Sequence, residues 1–286
     1  MPAADRKDPS LLPWTRATFA DLCRPGVIGM LHLAPLPGSP RWGGDLGAVT
    51  AAALRDGRTL REGGVRAVML ENFQDTPFHP GSVPPITVAA LTAVATAVRR
   101  ELPDCALGIN VLRNDAESAL AIAVAVGAAF IRVNVHTGAA VTDQGLIEGR
   151  AWHTLRQRRE FGAEIGILAD VRVKHSAPLA ARAPADEARD LRLRGLADAL
   201  IVTGAATGAG ADPAELAALR AILPDCPLLV GSGVTAENIH QFLPAADGFI
   251  VGTALKEAGD VAAPVSAART AAFTARLAAA VAGSKA

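Results

Sequence analysis

The chain has 286 residues, half of them hydrophobic, with 28 basic and 28 acidic side chains. That length exceeds a small disulfide scaffold and suits one α/β barrel of about 250 residues. The balanced charge argues against a nucleic-acid surface or an acidic tail, and Cys23, Cys105 and Cys226 form no CxxC zinc or redox pair.

The N-terminus, MPAADRKDPS, is polar and lacks the apolar core of a signal peptide. With an odd number of cysteines, it fits the reducing cytoplasm. Apolar stretches are interrupted well before the ~20 residues that a membrane helix needs, so no transmembrane segment is expected. Residues 1–25, with Trp14, Phe19 and Leu22, read as an apolar lead-in that covers the bottom of whatever fold follows.

From there, short apolar runs alternate with helical patterns. VIGMLHL (27–33) reads as a strand, 45–60 as a helix, VRAVMLENF (65–73) as a strand and 86–102 as a helix. ALGINVL (106–112) is a strand, and 115–127 is a helix with Asn114 or Asp115 as its cap and Gly127 as its stop. AFIRVNVH (129–136) is a strand, 145–161 a helix, EIGILADVRVKH (164–175) a long strand and 184–196 a helix. ALIVTG (199–204) is followed by a helix at 213–223, with Asp212 as N-cap and Pro213 at its first position. PLLVGSG (227–233) is followed by a helix at 235–243 capped by Thr235. GFIVGTAL (248–255) closes the series, and a last helix puts Phe273, Leu277 and Val281 on one face. Eight βα units with continuous apolar strands predict a (β/α)8 TIM barrel, one domain over residues 26–286. No GxGxxG follows the first strand, which weakens a Rossmann alternative.

In such a barrel the chemistry sits where the strands end. The first strand ends in His32, and the loop APLPGSP after it is stiffened by Pro35, Pro37 and Pro40. The second ends in Glu71 and Asn72. The third brings Asn110 and Arg113, the fourth Arg132, Asn134 and His136, the fifth Asp170, Arg172, Lys174 and His175, and the sixth Thr203. With period two along a strand, Arg132, Asn134 and His136 share a face, as do Asp170, Arg172 and Lys174. Charges repeated on one face of a central strand call for a polar site or an ion-pair network.

Glu71 and Asp170 are the acid/base candidates, with His32 beside them. Lys174 is a candidate either to pair with an anion or to form a Schiff base. Asn72, Asn110, Arg113, Arg132, Asn134, His136, His175 and Thr203 are the candidate substrate contacts. GSGVTAEN and GFIVGTALK put glycine where the seventh and eighth strands turn. There Gly231, Ser232, Gly233, Gly252 and Thr253 form a candidate phosphate cradle, expected at helix N-termini. TGAATGAG after the sixth strand reads as a lid or a further backbone wall. Histidines and carboxylates at strand ends are compatible with a divalent ion. Without HxH or HExxH spacing, no metal or cofactor is predicted.

GMLHLAPLPGSP, VMLENFQDTPF, GINVLRND, FIRVNVHTG, TDQGLIEG, ILADVRVKH, IVTGAATG, VGSGVTAENI and GFIVGTALK, in that order, resemble the motifs of the BtpA family from about Val27 to Lys256. The resemblance implies a TIM barrel related to the ribulose-phosphate-binding barrels. It also implies a tie to photosystem I, because a cyanobacterial member is associated with photosystem I accumulation, whereas an enteric member is encoded among sugar-uptake genes. Two functions are therefore expected as alternatives. One is an enzyme acting on a phosphorylated small molecule, a sugar phosphate or nucleotide-like compound, by isomerase, lyase or hydrolase chemistry. The other is a non-catalytic factor for photosystem I biogenesis. A phosphorylated substrate is the expected partner, nucleic acid is not, and a homo-oligomer is left open.

Overall fold

The computed structural model describes residues 14–23, 26–180, 182–204 and 210–283. Eight parallel strands close into a barrel in the order β1-β11-β10-β9-β7-β4-β3-β2. They are β1 (Val27–His32), β2 (Ala67–Glu71), β3 (Ala106–Asn110), β4 (Phe130–Val133), β7 (Gly166–Asp170), β9 (Ala199–Val202), β10 (Leu228–Val230) and β11 (Gly248–Val251). Helices α2 (Leu46–Glu62), α3 (Pro85–Glu101), α4 (Ala116–Val126), α5 (Ala151–Glu160), α6 (Pro184–Arg189) and α7 (Pro213–Ile222) connect them, and α8 (Ala267–Gly283) ends the fold. Two of the predicted caps hold: Asp115 accepts from the Ser118 N–H and Asp212 from the Ala214 N–H.

Strand side chains divide into two sets. Val68, Leu70, Ile109 and Ile131 pack outward against the helices. Met30, Met69, Phe130, Leu168, Ile201 and Ile250 fill the barrel's interior. The interior is tight enough that a Cβ on Gly108 would lie 2.0 Å from the Phe130 ring, so only glycine fits there. Helix α1 (Arg16–Leu22) inserts Phe19 into the same inner cluster, and Trp14 and Leu22 pack against it. The remainder of the lead-in, residues 1–13 and 24–25, lies outside the described residues.

Four expected elements differ. The helix expected over 145–161 starts only at Ala151. Gly145–Glu148 is instead β6, an antiparallel partner of β5 (Ala139–Thr142). The strand expected to run to 175 stops at Asp170, because the chain leaves the barrel there to form β8 (Ser176–Pro178) against β5. The three make a small sheet in the order β6-β5-β8. The helix expected over 184–196 is α-helical only to Arg189, continues as a π-turn at Asp190–Arg194 and stops at Gly195. The helix expected over 235–243 shrinks to a 3-10 turn, Ile239–Gln241. There Thr235 and Asn238 bond reciprocally with the turn's backbone instead of starting an α-helix. The lid expected at TGAATGAG falls largely on residues 205–209, outside the described set. Among the described residues, no helix is long and apolar enough to cross a membrane.

Candidate active site

Register assembles the site. β1 and β2 pair His32 with Glu71, and β2 and β3 pair Glu71 with Asn110. Three strand ends thus place three polar side chains side by side above the apolar interior. The Asn110 amide donates to Glu71 Oε2 at 2.6 Å, and His32 Nε2 stands 3.8 Å from Glu71 Oε1. His32 stacks on Phe73 with ring centroids 4.4 Å apart. Burial, followed by the charges of Lys256, Lys174 and Arg132, pushes the imidazole down to about 3, so it is neutral at physiological pH. Its Nδ1 is buried without a partner, as is Asn110 Oδ1.

On the adjoining strands, Arg132 donates to both oxygens of Asp170, and the Asn134 amide donates to Asp170 Oδ2 at 2.7 Å. Burial opposes the Arg132 charge, yet the Asp170 and Glu71 carboxylates outweigh it and raise its pKa. Asp170 is therefore an anchor that aims Arg132, with both oxygens committed. For the expected acid/base role one of these bonds would first have to open. Lys174 reaches the same mouth from the segment beyond β7. Its amine makes no ion pair among the described residues. Burial, and then Arg132, hold it below its ordinary value.

The mouth has two lobes that share Glu71, Arg132 and Lys174. The first, about 290 Å³, is walled by Gly231–Gly233 and Gly252–Thr253, with Arg269 of α8 at its edge. Among the described residues, the backbone N–H groups of Gly233, Gly252 and Thr253 have no acceptor. Gly233 has φ +70°, and a Cβ on Gly252 would stand 2.7 Å from His32 Cε1. The expected α-helix N-termini are absent: Thr253–Leu255 is one 3-10 turn, and the other loop runs on to Ile239–Gln241. Free amides and Arg269, without a helix dipole, supply the positive character. Arg269 escaped the sequence reading because it lies far from any strand end.

The second lobe, about 450 Å³, contains Arg113 and His175 with Phe73 and Phe78 as apolar wall. Of the other expected contacts, three lie elsewhere. Asn72 clamps a loop, bonding Leu112 through both its amide atoms and reaching Asp75. His136 turns away to bond the Gly195 carbonyl at 2.8 Å. The Thr203 hydroxyl donates to the Arg172 carbonyl, and Arg172 itself pairs with Glu187. The shared face expected for Asp170, Arg172 and Lys174 fails because the strand has already ended. Among the described residues, no His, Cys, Asp and Glu cluster could hold a metal ion.

The family model described as the BtpA family matches residues 23–279. "Photosystem I biogenesis protein BtpA" of Synechocystis is 46% identical over 247 residues, 86% of this chain and 86% of that protein. An uncharacterized protein of Thermococcus kodakarensis is 48% identical over 246 residues, 86% of this chain and 92% of that one. Among solved structures, phosphoribosyl anthranilate isomerase from Thermus thermophilus matches with a TM-score of 0.55 at 15% identity, over 89% of this chain and 98% of that one. KGPDC from Streptococcus mutans matches with a TM-score of 0.56 at 13% identity, over 90% and 98%. At such identities the likeness is one of fold, a closed TIM barrel. By the family match and the Synechocystis relative, the chain belongs to the BtpA family.

Proposed function

We propose that the chain is an enzyme acting on a phosphorylated small molecule by acid–base chemistry: isomerisation, lyase cleavage or hydrolysis. One observation carries the reading. Three residues whose backbone N–H groups have no acceptor among the described residues, Gly233, Gly252 and Thr253, line a lobe that also holds Glu71 and Lys174. Orphaned amides in a concave loop suit an anion, and barrel enzymes frequently bind phosphate beyond their seventh and eighth strands.

The phosphate would rest on Gly233, Gly252 and Thr253, with Arg269 beside it. The rest of the substrate then lies over Glu71. Asn110 fixes one carboxylate oxygen, and the other faces the substrate to accept or return a proton. Arg132, aimed by Asp170, and Lys174 stabilise negative charge that develops on the reacting oxygen. Neutral His32 adds no further cation beside Glu71. Its stack on Phe73 fixes its ring.

Thermal unfolding with a panel of sugar phosphates and inorganic phosphate tests this. A ligand at 100 times its Kd stabilises by about 2.7 kcal/mol, which raises Tm by about 5 °C or more for a chain of this size. The rise should vanish in Arg269→Gln and Gly233→Val. If no phosphate compound moves the wild-type Tm, the reading fails.

The Synechocystis relative's name supports a second reading, a factor in photosystem I biogenesis. A Synechocystis strain lacking that relative decides between the two when given the Glu71→Gln/Lys174→Ala chain. Rescue by this variant favours the non-catalytic role, and rescue by the wild-type chain alone favours the enzyme.

A further inference from the structure

Among the described residues, the second lobe holds a guanidinium without an ion-pair partner, and Asp143 acts on it only from beyond that distance. Arg113 is only 6% exposed. Its guanidinium makes a single side-chain hydrogen bond, from Nη2 to the Lys174 carbonyl at 2.7 Å, and no ion pair among the described residues. A guanidinium has five N–H donors, and burying one without a counter-ion is costly. Arg132, the other arginine buried to this degree among the described residues, is paired with Asp170. Arg113 has no such partner, and it lies in a cavity of about 450 Å³ that opens onto Glu71 and Lys174.

We propose that the missing counter-ion is a carboxylate of the substrate, so that the protein takes a phosphorylated sugar acid: phosphate in the first lobe, carboxylate on Arg113 in the second. This rests on the phosphate reading of the first lobe. A planar carboxylate fits the guanidinium fork. Arg41, Arg132 and Lys174 also line the lobe, but Phe73, Phe78 and Leu112 make much of its wall apolar and Glu71 and Asp143 add negative charge, which favours a singly charged group over a second phosphate. Both lobes are lined by Glu71, Arg132 and Lys174, so a carbon chain that spans them passes the acid–base groups.

Calorimetric titration of matched pairs tests the assignment. Each pair is a phosphorylated aldonate and the corresponding aldose phosphate, with four to six carbons, and fructose 1,6-bisphosphate is added for comparison. In at least one pair the aldonate should bind at least tenfold more tightly. Arg113→Gln should remove that advantage while leaving the aldose phosphate's affinity unchanged, and Arg113→Lys should keep part of it. If Arg113→Gln does not fold, the wild-type ratio and Arg113→Lys decide. Equal affinities within every pair, an advantage that survives Arg113→Gln, or tighter binding of the bisphosphate would overturn the carboxylate assignment. So would the failure of every pair while inorganic phosphate still raises Tm, and in that case the phosphate lobe stands. If inorganic phosphate also fails, both readings fall.

Discussion

Arg132 and Asp170 bond twice across the β4–β7 seam, Nε to Oδ2 at 3.2 Å and Nη2 to Oδ1 at 2.9 Å, with both side chains almost wholly out of solvent. The pair places one guanidinium at the centre of the mouth and holds it there. Removing only the carboxylate leaves a buried cation unmatched, which typically costs 3–5 kcal/mol. Asp170→Ala should therefore lose stability of about that size in equilibrium urea unfolding. A loss below about 1 kcal/mol would mean that the pair is not the anchor described.

Glu71 is expected to behave differently. The side chains that touch it carry no charge, since Asn110 is an amide and His32 is neutral, while Arg132 and Lys174 act on it from across the mouth. Glu71→Gln should keep the fold and bind the phosphorylated ligand within a few-fold of wild type. Its turnover should fall by roughly 10²–10⁴, the usual contribution of a general acid or base. Asn110→Ala should lower kcat more than it raises KM, because it frees the carboxylate to rotate. Comparing kcat and ligand affinity in both variants checks this.

His32 should make stability fall on acidification. Its folded value is about 3, against an ordinary 6.5. Lys256, Lys174 and Arg132 hold it down with burial, and Asp56 opposes them. Between those two values the unfolded chain binds a proton that the folded chain refuses. Unfolding therefore becomes easier as pH drops below 6.5, by up to about 1.4 kcal/mol per pH unit. His136, pushed down to about 4 by burial, acts in the same direction. Urea unfolding at pH 7, 6 and 5 should show a shallower slope in His32→Gln than in wild type. Identical slopes would show that His32 titrates normally.

Gly252 faces His32 so closely that any Cβ must displace the ring. Gly252→Ala should weaken phosphate-ligand binding at least tenfold and lower stability by about 1–3 kcal/mol, the usual range for overpacking. Titration and thermal unfolding of one preparation measure both.

The barrel was legible because each of its eight strands is a short apolar run with a turn signal at its end. Strand ends also exposed Glu71, Asn110 and Arg132, since a period of two carries them inward above Met69, Gly108 and Phe130, whereas Lys174 reaches the mouth from the segment after β7 has ended. The small antiparallel sheet was hidden because GLIE reads as the first turn of the helix that follows it. The short turn at Ile239–Gln241 was hidden because TAENIHQFL carries a helical apolar spacing that tertiary packing overrides. His136 and Asp170 look like neighbouring site groups in sequence. Only side-chain geometry shows one turned to Gly195 and the other saturated by Arg132 and Asn134. Arg269 joins the site through the last helix, a contact with no local signature.

The central claim is that the loops after β10 and β11 hold a phosphate beside Glu71. A crystal structure of the protein soaked with a stabilising sugar phosphate tests it most directly. The account predicts a tetrahedral anion within hydrogen-bond distance of the Gly233 and Thr253 amides, with the sugar carbons running toward Glu71 and Lys174. Ordered ligand density elsewhere, with those amides left unbonded, would contradict it.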